Sequence, residues 1–412
     1  MLFSDNDPIL IIGAGVSGLV LAQGLKHRGI PFRLFERNAS IANKKQGYRF
    51  RCEQPGLEAL QQTLAPELWD LIETTHAKHT PFVMVGLDIR TGEKIGESNR
   101  VSPETKAGAK AYPIDRPWFR ELLYLGIEED IVFGKAFESY ELLDGGSSGK
   151  RVRVHFEDKT TATGRLLVAA DGVRSRVRRQ FLPDMKQVDV GRMVIWGRTP
   201  DVKAMRSILP PEALSTWASW AVDDGHPARS LLWAPVEWPG DLPKLSGGKL
   251  SAQSEYVNCV FNSETNKDVL ANAGSLKHKL DWMNEVMADW NPALKELYQR
   301  QDPESLTLIP MYSCTPNIPE WQAQPCLTFL GDAIHAMLPT GGIGGLTAIM
   351  DARDLCLAIA SARDGDEEGW VKQLQGYETE MRRRGAAAIE HSFQGGKRMW
   401  AGKDWWEYET LV

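Results

Sequence analysis

The stretch PILIIGAGVSGLVLAQGLKHRGIPFRLFER, residues 8–37, decides the fold of this chain. A short apolar run leads into Gly13, Gly15 and Gly18, a helical pattern follows them, and a second apolar run ends at Glu36. This order predicts a strand, a tight turn, a helix and a second strand. In such a unit the first glycine allows the turn, the second lets a diphosphate approach the backbone, and the third lets helix and strand pack closely.

The acidic residue at the end of the second strand indicates what this unit binds. The N-terminus of a helix presents free N–H groups and a positive dipole end, which favour a diphosphate. Glu36 stands where its carboxylate can accept hydrogen bonds from an adenosine ribose. We therefore predict that the unit binds the ADP part of a dinucleotide. A glycine-rich turn in an ordinary α/β protein would leave Glu36 without an explanation.

The composition is that of an ordinary globular protein, with 412 residues, 42% hydrophobic and 25% charged. The net charge of −6 gives no general attraction to nucleic acid, and glycines interrupt the longest uncharged stretches. We therefore expect no nucleic-acid partner and no stable membrane insertion. The N-terminal residues show no signal-peptide pattern, and the five cysteines are scattered, so we expect a cytoplasmic protein without a disulfide framework.

Other segments carry weaker signals. The leucine spacing of residues 55–75 predicts a helix. His76 and His79 follow it, but no cysteine or acid stands near them, so we predict a polar helix end and no metal site. The arginine run at 382–384 is interpreted first as a solvated helix face and second as a phosphate or partner site.

The middle of the chain has a different character. Between residues 181 and 321 prolines and tryptophans become common, and 8 of the 14 tryptophans lie there. Strand-like segments and a helical stretch at 276–298 indicate a separate lobe. The aromatic residues fit a hydrophobic pocket, although tryptophans in the core of a sheet would explain them as well.

Two later motifs follow further predicted strands. AADGVRSRVR contains Asp171, and FLGDAIHAMLPTGGIGG contains Gly331 and Asp332. In the second motif a glycine-rich turn starts at Pro339 and opens a helix from about Leu346. This helix start is a second place where backbone N–H groups can face an anion or a ring.

The three motifs, in this order and spacing, resemble those of the single-component FAD-dependent monooxygenases with the p-hydroxybenzoate hydroxylase fold, in particular the members from fungal secondary metabolism. The resemblance implies an α/β protein, with a Rossmann-like FAD-binding domain, an interleaved mixed-β-sheet substrate domain and C-terminal helices. The implied division is a FAD-binding domain at 1–80, 111–180 and 322–365, a substrate domain at 81–110 and 181–321, and a C-terminal helical region at 366–412.

The resemblance also implies roles for individual residues. In the substrate domain the family's catalytic arginine or tyrosine has no single match, and Arg192 and Arg198 are the two candidates to face the flavin. The basic loop at 38–53 is either a solvated loop or the source of an arginine that reaches the cofactor. The residues implied in FAD binding are Gly13, Gly15, Gly18, Glu36, Arg37, Arg49, Arg116, Asp171, Gly331, Asp332, Pro339, Gly341, Gly344, Gly345 and Leu346.

The implied reaction needs a second coenzyme. The chain has one dinucleotide motif, which a bound FAD would occupy. The resemblance therefore implies that NAD(P)H binds transiently, as it does in the family. NAD(P)H would reduce FAD, O₂ would add at flavin C4a, and the hydroperoxide would hydroxylate or epoxidise a bulky, aromatic or secondary-metabolite substrate. Two alternatives stay open: a flavoprotein oxidase or dehydrogenase, and a binding protein of the same fold without a cofactor. The sequence leaves open whether the protein is a monomer or a homodimer.

Overall fold

Eighteen strands and thirteen α-helices are found in the computed structural model, which describes residues 2–4, 6–41, 49–81, 83–99, 110–144, 149–223, 225 and 228–411. The strands are β1 (Ile9–Ile12), β2 (Phe32–Glu36), β3 (Arg49–Glu53), β4 (Val83–Leu87), β5 (Lys94–Asn99), β6 (Ala111–Asp115), β7 (Ile131–Phe133), β8 (Phe137–Leu143), β9 (Arg151–Phe156), β10 (Thr161–Gly164), β11 (Leu166–Ala169), β12 (Gln187–Pro200), β13 (Ala218–Asp223), β14 (Arg229–Val236), β15 (Tyr256–Glu264), β16 (Thr307–Cys314), β17 (Leu327–Phe329) and β18 (Glu409–Leu411). The helices are α1 (Val16–His27), α2 (Gln54–Thr63), α3 (Pro66–Thr75), α4 (Arg116–Tyr124), α5 (Arg176–Phe181), α6 (Val202–Ile208), α7 (Leu242–Leu245), α8 (Lys267–Ala271), α9 (Leu276–Val286), α10 (Pro292–Gln299), α11 (Asp332–His335), α12 (Gly344–Ala362) and α13 (Glu367–Trp400).

The first sheet is parallel and has the strand order β17-β11-β1-β2-β7. Every residue of the central strand β1 and of its neighbour β11 is buried, as expected for a sheet covered on both faces. α1 packs against α12 so closely that a Cβ atom on Gly24 would lie 2.7 Å from the sulfur of Cys356. Because the strands are parallel, the segments that follow β1, β11 and β17 meet at one edge of the sheet.

The second sheet is mixed and has the order β16-β12-β15-β14-β13-β4-β5, with β18 beside one end of β12. Its β13 and β4 are parallel, and the other neighbours along this order are antiparallel. Ile195 and Phe261 on one face pack on α9 and α10, whereas Val194 and Val260 on the other face pack on the segment that follows β17. This alternation follows from the two-residue period of a strand.

Three segments of the described chain supply strands to the mixed sheet: residues 83–99, 187–314 and 409–411. β3, which precedes the first of these segments, pairs with β6, which follows it, in a separate two-stranded ladder. The predicted fold class, a Rossmann-like α/β protein with an interleaved mixed sheet, is confirmed.

Two local elements differ from the sequence prediction. Residues 55–75 form two helices, α2 and α3, because the ring of Pro66 disfavours a helical backbone at Ala65, which has ψ 145°. The region after residue 366 is not helical to its end, since β18 pairs in antiparallel fashion with the start of β12. A strand of three residues gives too short a pattern to be recognised in the sequence.

The described residues bear on the expectations for disulfides, metal sites and membrane-spanning helices. All five cysteines are buried and free. Among the described residues, no group of three or more histidine, cysteine or acidic side chains is arranged to hold a metal ion. His76 instead stacks on Tyr112 with ring centroids 4.1 Å apart. Within the described ranges, every helix is too short or too polar to cross a membrane.

Candidate active site

The three sequence motifs meet at the carboxyl edge of the parallel sheet. A Cβ atom on Gly13 would lie 2.4 Å from the carbonyl oxygen of Ala170, which joins the first motif to the second. A Cβ atom on Gly331 would lie 2.9 Å from the hydroxyl of Ser17, which joins the first motif to the third. Segments more than a hundred residues apart in the chain therefore form one continuous surface.

The three glycines of the first motif have different reasons to be glycine. Gly13 has φ +109°, a conformation that side chains rarely adopt. A Cβ atom on Gly18 would lie 2.1 Å from the carbonyl oxygen of Gly13, so only glycine lets the helix approach the turn. Gly15 has an ordinary φ of −73°, and no atom of the described residues would contact a Cβ atom there within 4 Å. The described residues therefore leave space beside Gly15 for a ligand.

Two long helices point uncapped N-termini at this surface. α1 begins after Gly15 and α12 after Ile343, and neither N-cap residue donates or accepts a side-chain capping hydrogen bond. Helix N-terminal N–H groups without a side-chain cap are donors for an anion. This donor set fits the diphosphate and the electron-rich ring of a dinucleotide cofactor.

Glu36 at the end of β2 has both of its carboxylate oxygens engaged with the backbone. Oε2 accepts a hydrogen bond from the N–H of Ala14 at 2.8 Å, and Oε1 accepts one from the N–H of Asn38 at 2.8 Å. The residue is 6% exposed. A carboxylate oxygen can accept a further hydrogen bond, so this arrangement leaves room for the predicted ribose contact. Arg37, next in sequence, is exposed.

A second side chain, which the sequence analysis did not single out, holds the same turn. Arg120 in α4 is 4% exposed, and its Nε donates to the carbonyl oxygen of Ala14 at 3.2 Å. Burial lowers the pKa of its guanidinium, with neighbouring Arg116 adding to the effect. Arg116 itself opens α4 and is half-buried. The spacing of four residues places both arginines on one face of α4, which is the signal that could have identified Arg120.

Asp171, which follows β11, has a hydrogen-bond partner on only one of its two carboxylate oxygens within the described ranges. Its Oδ2 accepts a hydrogen bond from the backbone N–H of Arg176 at 2.8 Å and so supports the start of α5. Its Oδ1 is buried and has no hydrogen-bond partner within the described ranges. Burial raises the pKa of this carboxyl group. An unused buried acceptor beside Gly13 is consistent with a ligand that supplies a donor there.

The turn after β17 carries Gly331 and Asp332. Gly331 has φ +63°, and its N–H donates to Oδ2 of Asp351 at 3.0 Å. Asp332 is half-buried at the first position of α11. The backbone of this turn is therefore fixed by a side chain from a different helix.

The glycine-rich segment 339–346 leads into α12, which begins at Gly344, two residues before the predicted start. Pro339 is exposed, whereas Gly345 packs against the ring of Phe50, where a Cβ atom would approach to 3.0 Å. The other predicted residues here are half-buried beside neighbouring elements: Gly341, Gly344 and Leu346.

Arg49 in β3 contacts the mixed sheet. Its Nη1 donates to the carbonyl oxygen of Pro235 and its Nη2 to that of Trp217, both at 2.6 Å. The guanidinium lies over the Trp217 ring, 3.8 Å from its centroid. Burial lowers the pKa of Arg49 to about 10. Its predicted contact with a cofactor stays a prediction, and Lys44 and Lys45 of the same basic loop lie outside the described residues.

Arg198 lies on the face of the mixed sheet that is turned towards the parallel sheet. Its guanidinium lies over the Tyr256 ring at 4.5 Å, and its Nη2 is 4.0 Å from a carboxylate oxygen of Asp115. Tyr256 donates its hydroxyl hydrogen bond to the same carboxylate. In the described part of the chain, the buried Nε and Nη2 of Arg198 have no hydrogen-bond partner. Arg198 can therefore donate to a ligand.

Arg192 lies six residues earlier on the same face of β12, but it is fully engaged. Its Nε donates to the amide oxygen of Asn262 at 2.8 Å and its Nη2 to the carbonyl oxygen of Ala228 at 2.7 Å. The guanidinium also lies over the Trp400 ring at 5.0 Å. Burial lowers the pKa of Arg192 to about 10. These contacts hold the guanidinium within the protein, and the predicted place of Arg192 facing the flavin stays a prediction.

Comparison with known proteins identifies the family of the chain. The sequence model described as FAD binding domain matches residues 7–230 and 276–392, which is most of the chain. The chain belongs to the FAD binding domain family. FAD as the cofactor is thereby confirmed, and Gly15, Asp171 and the uncapped α1 are features of this structure that fit it.

Two relatives of this FAD-binding chain are fungal proteins. It is 30% identical over 447 residues to the dual O-methyltransferase/FAD-dependent monooxygenase elcB of Phaeosphaeria nodorum, a match that covers 100% of the chain and 48% of the relative. It is 25% identical over 396 residues to the FAD-dependent monooxygenase cctM of Talaromyces islandicus, with 94% and 92% covered. The chain thus spans about half the length of the first of these relatives.

A solved structure supports the same assignment. A Photorhabdus luminescens protein described as an FAD-containing monooxygenase superposes with a TM-score of 0.77 at 27% identity, over 96% of this chain and 99% of that one. The resemblance to FAD-dependent monooxygenases found in the sequence is therefore confirmed.

Proposed function

We propose that this chain is an FAD-dependent monooxygenase that uses NAD(P)H and O₂ to hydroxylate or epoxidise a bulky, aromatic or secondary-metabolite small molecule. The observation that carries the proposal is the meeting of the three motifs at one edge of the parallel sheet, opposite the face of β12 that carries Arg198. The names of two fungal relatives give the same activity.

The proposed cofactor contacts run along this edge. Glycine-turn and α1 N–H groups would bind the diphosphate, Glu36 the adenosine ribose, and Asp171 and Asp332 the region between the diphosphate and the ring. The α12 N-terminus would stabilise negative charge on the reduced ring. The full proposed set is Gly13, Gly15, Gly18, Glu36, Arg37, Arg49, Arg116, Asp171, Gly331, Asp332, Pro339, Gly341, Gly344, Gly345 and Leu346.

Bound FAD supplies electron transfer and oxygen activation, so the chain has to position the substrate and exclude water. The face of the mixed sheet that is turned towards the parallel sheet carries Trp196 and Trp220, which pack with Leu232. These apolar side chains suit an apolar substrate. Of the two candidate catalytic arginines, we propose Arg198 as the one that contacts substrate, because its buried N–H groups are unused within the described ranges. Arg192 remains the weaker candidate, since Asn262 and Ala228 already hold it.

The proposed partners follow from the same features. NAD(P)H would bind transiently, because the sequence has one dinucleotide motif. We propose a small-molecule substrate, no nucleic-acid partner, a monomeric or homodimeric state and a cytoplasmic location. Five buried, free cysteines support a reducing compartment.

The decisive experiment measures where the oxygen goes. Purified chain reconstituted with FAD is given NADPH or NADH under ¹⁸O₂ with a panel of polycyclic phenols, and products are analysed by mass spectrometry together with peroxide. We expect one ¹⁸O atom in a product and substrate-stimulated NAD(P)H oxidation. Oxygen recovered only as peroxide with every substrate would favour an oxidase. A chain that is colourless after incubation with FAD and removal of the unbound flavin by desalting would overturn the proposal.

A further inference from the structure

One buried carboxylate, that of Asp351, holds the backbone of the turn that carries Gly331 and Asp332. Asp351 in α12 is 0% exposed. Its Oδ2 accepts hydrogen bonds from the N–H of Gly331 at 3.0 Å and from Nε2 of His335 at 2.5 Å. Because Gly331 has φ +63°, its backbone needs such a restraint to keep one conformation. Asp351 therefore sets the direction in which Asp332 leaves the sheet.

Arg384 in α13 is the second charged partner of Asp351, beside His335. Its Nε and Nη2 donate to the second oxygen, Oδ1, at 3.2 and 2.9 Å, and its Nη2 also reaches Asp354 at 2.8 Å. The Arg384 side chain is 11% exposed. Removing Arg384 would leave Oδ1 of this buried carboxylate without its charged donors, while His335 stays on Oδ2, and breaking a buried ion pair costs far more than losing a surface pair. Asp351 would then lose one of the two contacts that fix its orientation.

The neighbours of Arg384 show that this contact is particular to one residue of the arginine run. Arg383 is exposed and pairs with Glu380 on the same helix at 2.7 Å. Arg382 lies over the Trp321 ring at 4.6 Å. α13 also touches His335 directly, since a Cβ atom on Gly385 would lie 2.8 Å from the Cβ of His335.

We propose that Arg384 is a positioning residue for FAD binding, which acts through Asp351 to hold the Gly331–Asp332 backbone. The C-terminal helix α13, which lies outside the predicted FAD-binding segments, would then contribute to cofactor affinity. The inference rests on FAD binding, which it shares with the proposed function, and does not depend on oxygenation.

The test compares Arg384→Met and Arg384→Lys with the matched control Arg383→Met. Purified full chains stripped of flavin are titrated with FAD, and the Kd is read from quenching of flavin fluorescence. The temperature is one at which circular dichroism shows each variant fully folded. We expect Arg384→Met to weaken FAD binding about tenfold or more, as for the loss of a buried charged partner. Arg384→Lys, which keeps the charge, should recover most of the affinity, and Arg383→Met should bind as wild type does.

Two outcomes would overturn the proposal. One is a folded Arg384→Met variant with unchanged FAD affinity, and the other is an Arg384→Lys variant that binds FAD as weakly as Arg384→Met. If Arg384→Met does not fold, Arg384→Gln takes its place, because glutamine keeps an N–H donor near Asp351 without the charge. Weaker binding by folded Arg384→Gln supports the proposal, and unchanged binding overturns it. Since no substrate is present, a failure of the oxygenation assay leaves this result intact.

Discussion

Glu36 accepts a hydrogen bond from the backbone N–H of Ala14 at 2.8 Å, so the acid expected to bind a ribose also holds the glycine-rich turn. The carbonyl oxygen of the same Ala14 accepts from Arg120. The two peptide units that flank Ala14 are thereby fixed by side chains from β2 and α4. The turn is rigid before any cofactor arrives, which lowers the entropy that binding has to remove.

Replacing Glu36 tests this double role. Glu36→Ala should weaken FAD binding by about 1–3 kcal/mol, because it removes a buried acceptor from the Ala14 N–H and from the proposed ribose contact. Glu36→Gln, which keeps one side-chain oxygen, should lose less. Isothermal titration with FAD measures both variants. Equal affinities for Glu36→Ala and wild type would exclude the ribose contact.

Arg120 should matter as much as the residues of the motif itself. Arg120→Met leaves the Ala14 carbonyl oxygen without its side-chain donor, and we expect a loss of about 1–3 kcal/mol in unfolding free energy or in FAD affinity. Arg33→Met, at the exposed position of β2, is the matched control and should change neither quantity. Urea unfolding and FAD titration of both variants give the comparison. Identical behaviour of the two variants would show that the Arg120 contact contributes nothing.

Two glycines of the motif should separate binding from folding. Gly15→Ala adds a methyl group to open space at an ordinary φ, so folding stability should change little, while FAD affinity should fall by about 1 kcal/mol or more through crowding of the diphosphate. Gly18→Ala meets the Gly13 carbonyl oxygen at 2.1 Å and should lower stability by about 1–3 kcal/mol. Thermal melts without FAD, followed by titrations, distinguish the two. Normal FAD binding by Gly15→Ala would place the diphosphate elsewhere.

A pH effect on stability should arise at Glu378, which is 0% exposed in α13 and accepts a hydrogen bond from Thr328 at 2.8 Å. Burial raises its pKa from 4.5 to about 7. Between pH 4.5 and about pH 7 the Glu378 carboxyl keeps its proton in the folded chain and has lost it in the unfolded chain. The contribution of Glu378 to the free energy of unfolding is therefore fully present below about pH 4.5 and is lost as the pH rises through about 7.

The variant Glu378→Gln isolates this contribution, because glutamine can still accept from Thr328 but does not titrate. Wild type should lose about 2–3 kcal/mol relative to the variant between pH 4.5 and 8. Denaturant unfolding of both proteins at several pH values supplies the difference. Parallel curves for the two proteins would mean that Glu378 has an ordinary pKa.

Arg198 and Arg192 should respond differently to the same substitution. Arg198→Met removes N–H groups that have no hydrogen-bond partner within the described ranges, so catalytic efficiency should fall at least about tenfold. It also removes the positive charge beside buried Asp115, so a loss of stability should accompany the loss of activity. Arg192→Met removes two hydrogen bonds and should destabilise the fold by about 1–3 kcal/mol. Steady-state kinetics with the identified substrate measures the loss of activity, and unfolding curves of both variants measure the loss of stability. The reverse pattern would make Arg192 the substrate contact.

The sequence predicted the parts of this fold whose signals are local. Gly13 and Gly18 are required by the geometry of the turn between them, and Gly15 leaves space for a ligand, so their pattern is readable without the structure. The meeting of the three motifs also followed, because each stands directly after a strand that the resemblance places in one parallel sheet.

Contacts made by side chains across the fold were not predictable in the same way. Arg120 and Arg384 lie on helices whose rotation about their axes depends on packing, and each finds its partner in a distant segment. The arginine run illustrates this, because three adjacent residues of one type have three different surroundings. The interpretation of a solvated face fits Arg383 and is wrong for Arg384, which is mostly buried.

The interleaving of the two sheets has a consequence for biosynthesis. Ile9 pairs with Leu166, and Leu167 pairs with Leu327, so the parallel sheet needs most of the chain to leave the ribosome before it is complete. Pairings this distant in sequence close slowly, and exposed strand edges persist meanwhile. Neither lobe can be cut out as a contiguous fragment, and expression of shortened versions should yield aggregates where the intact chain yields folded protein.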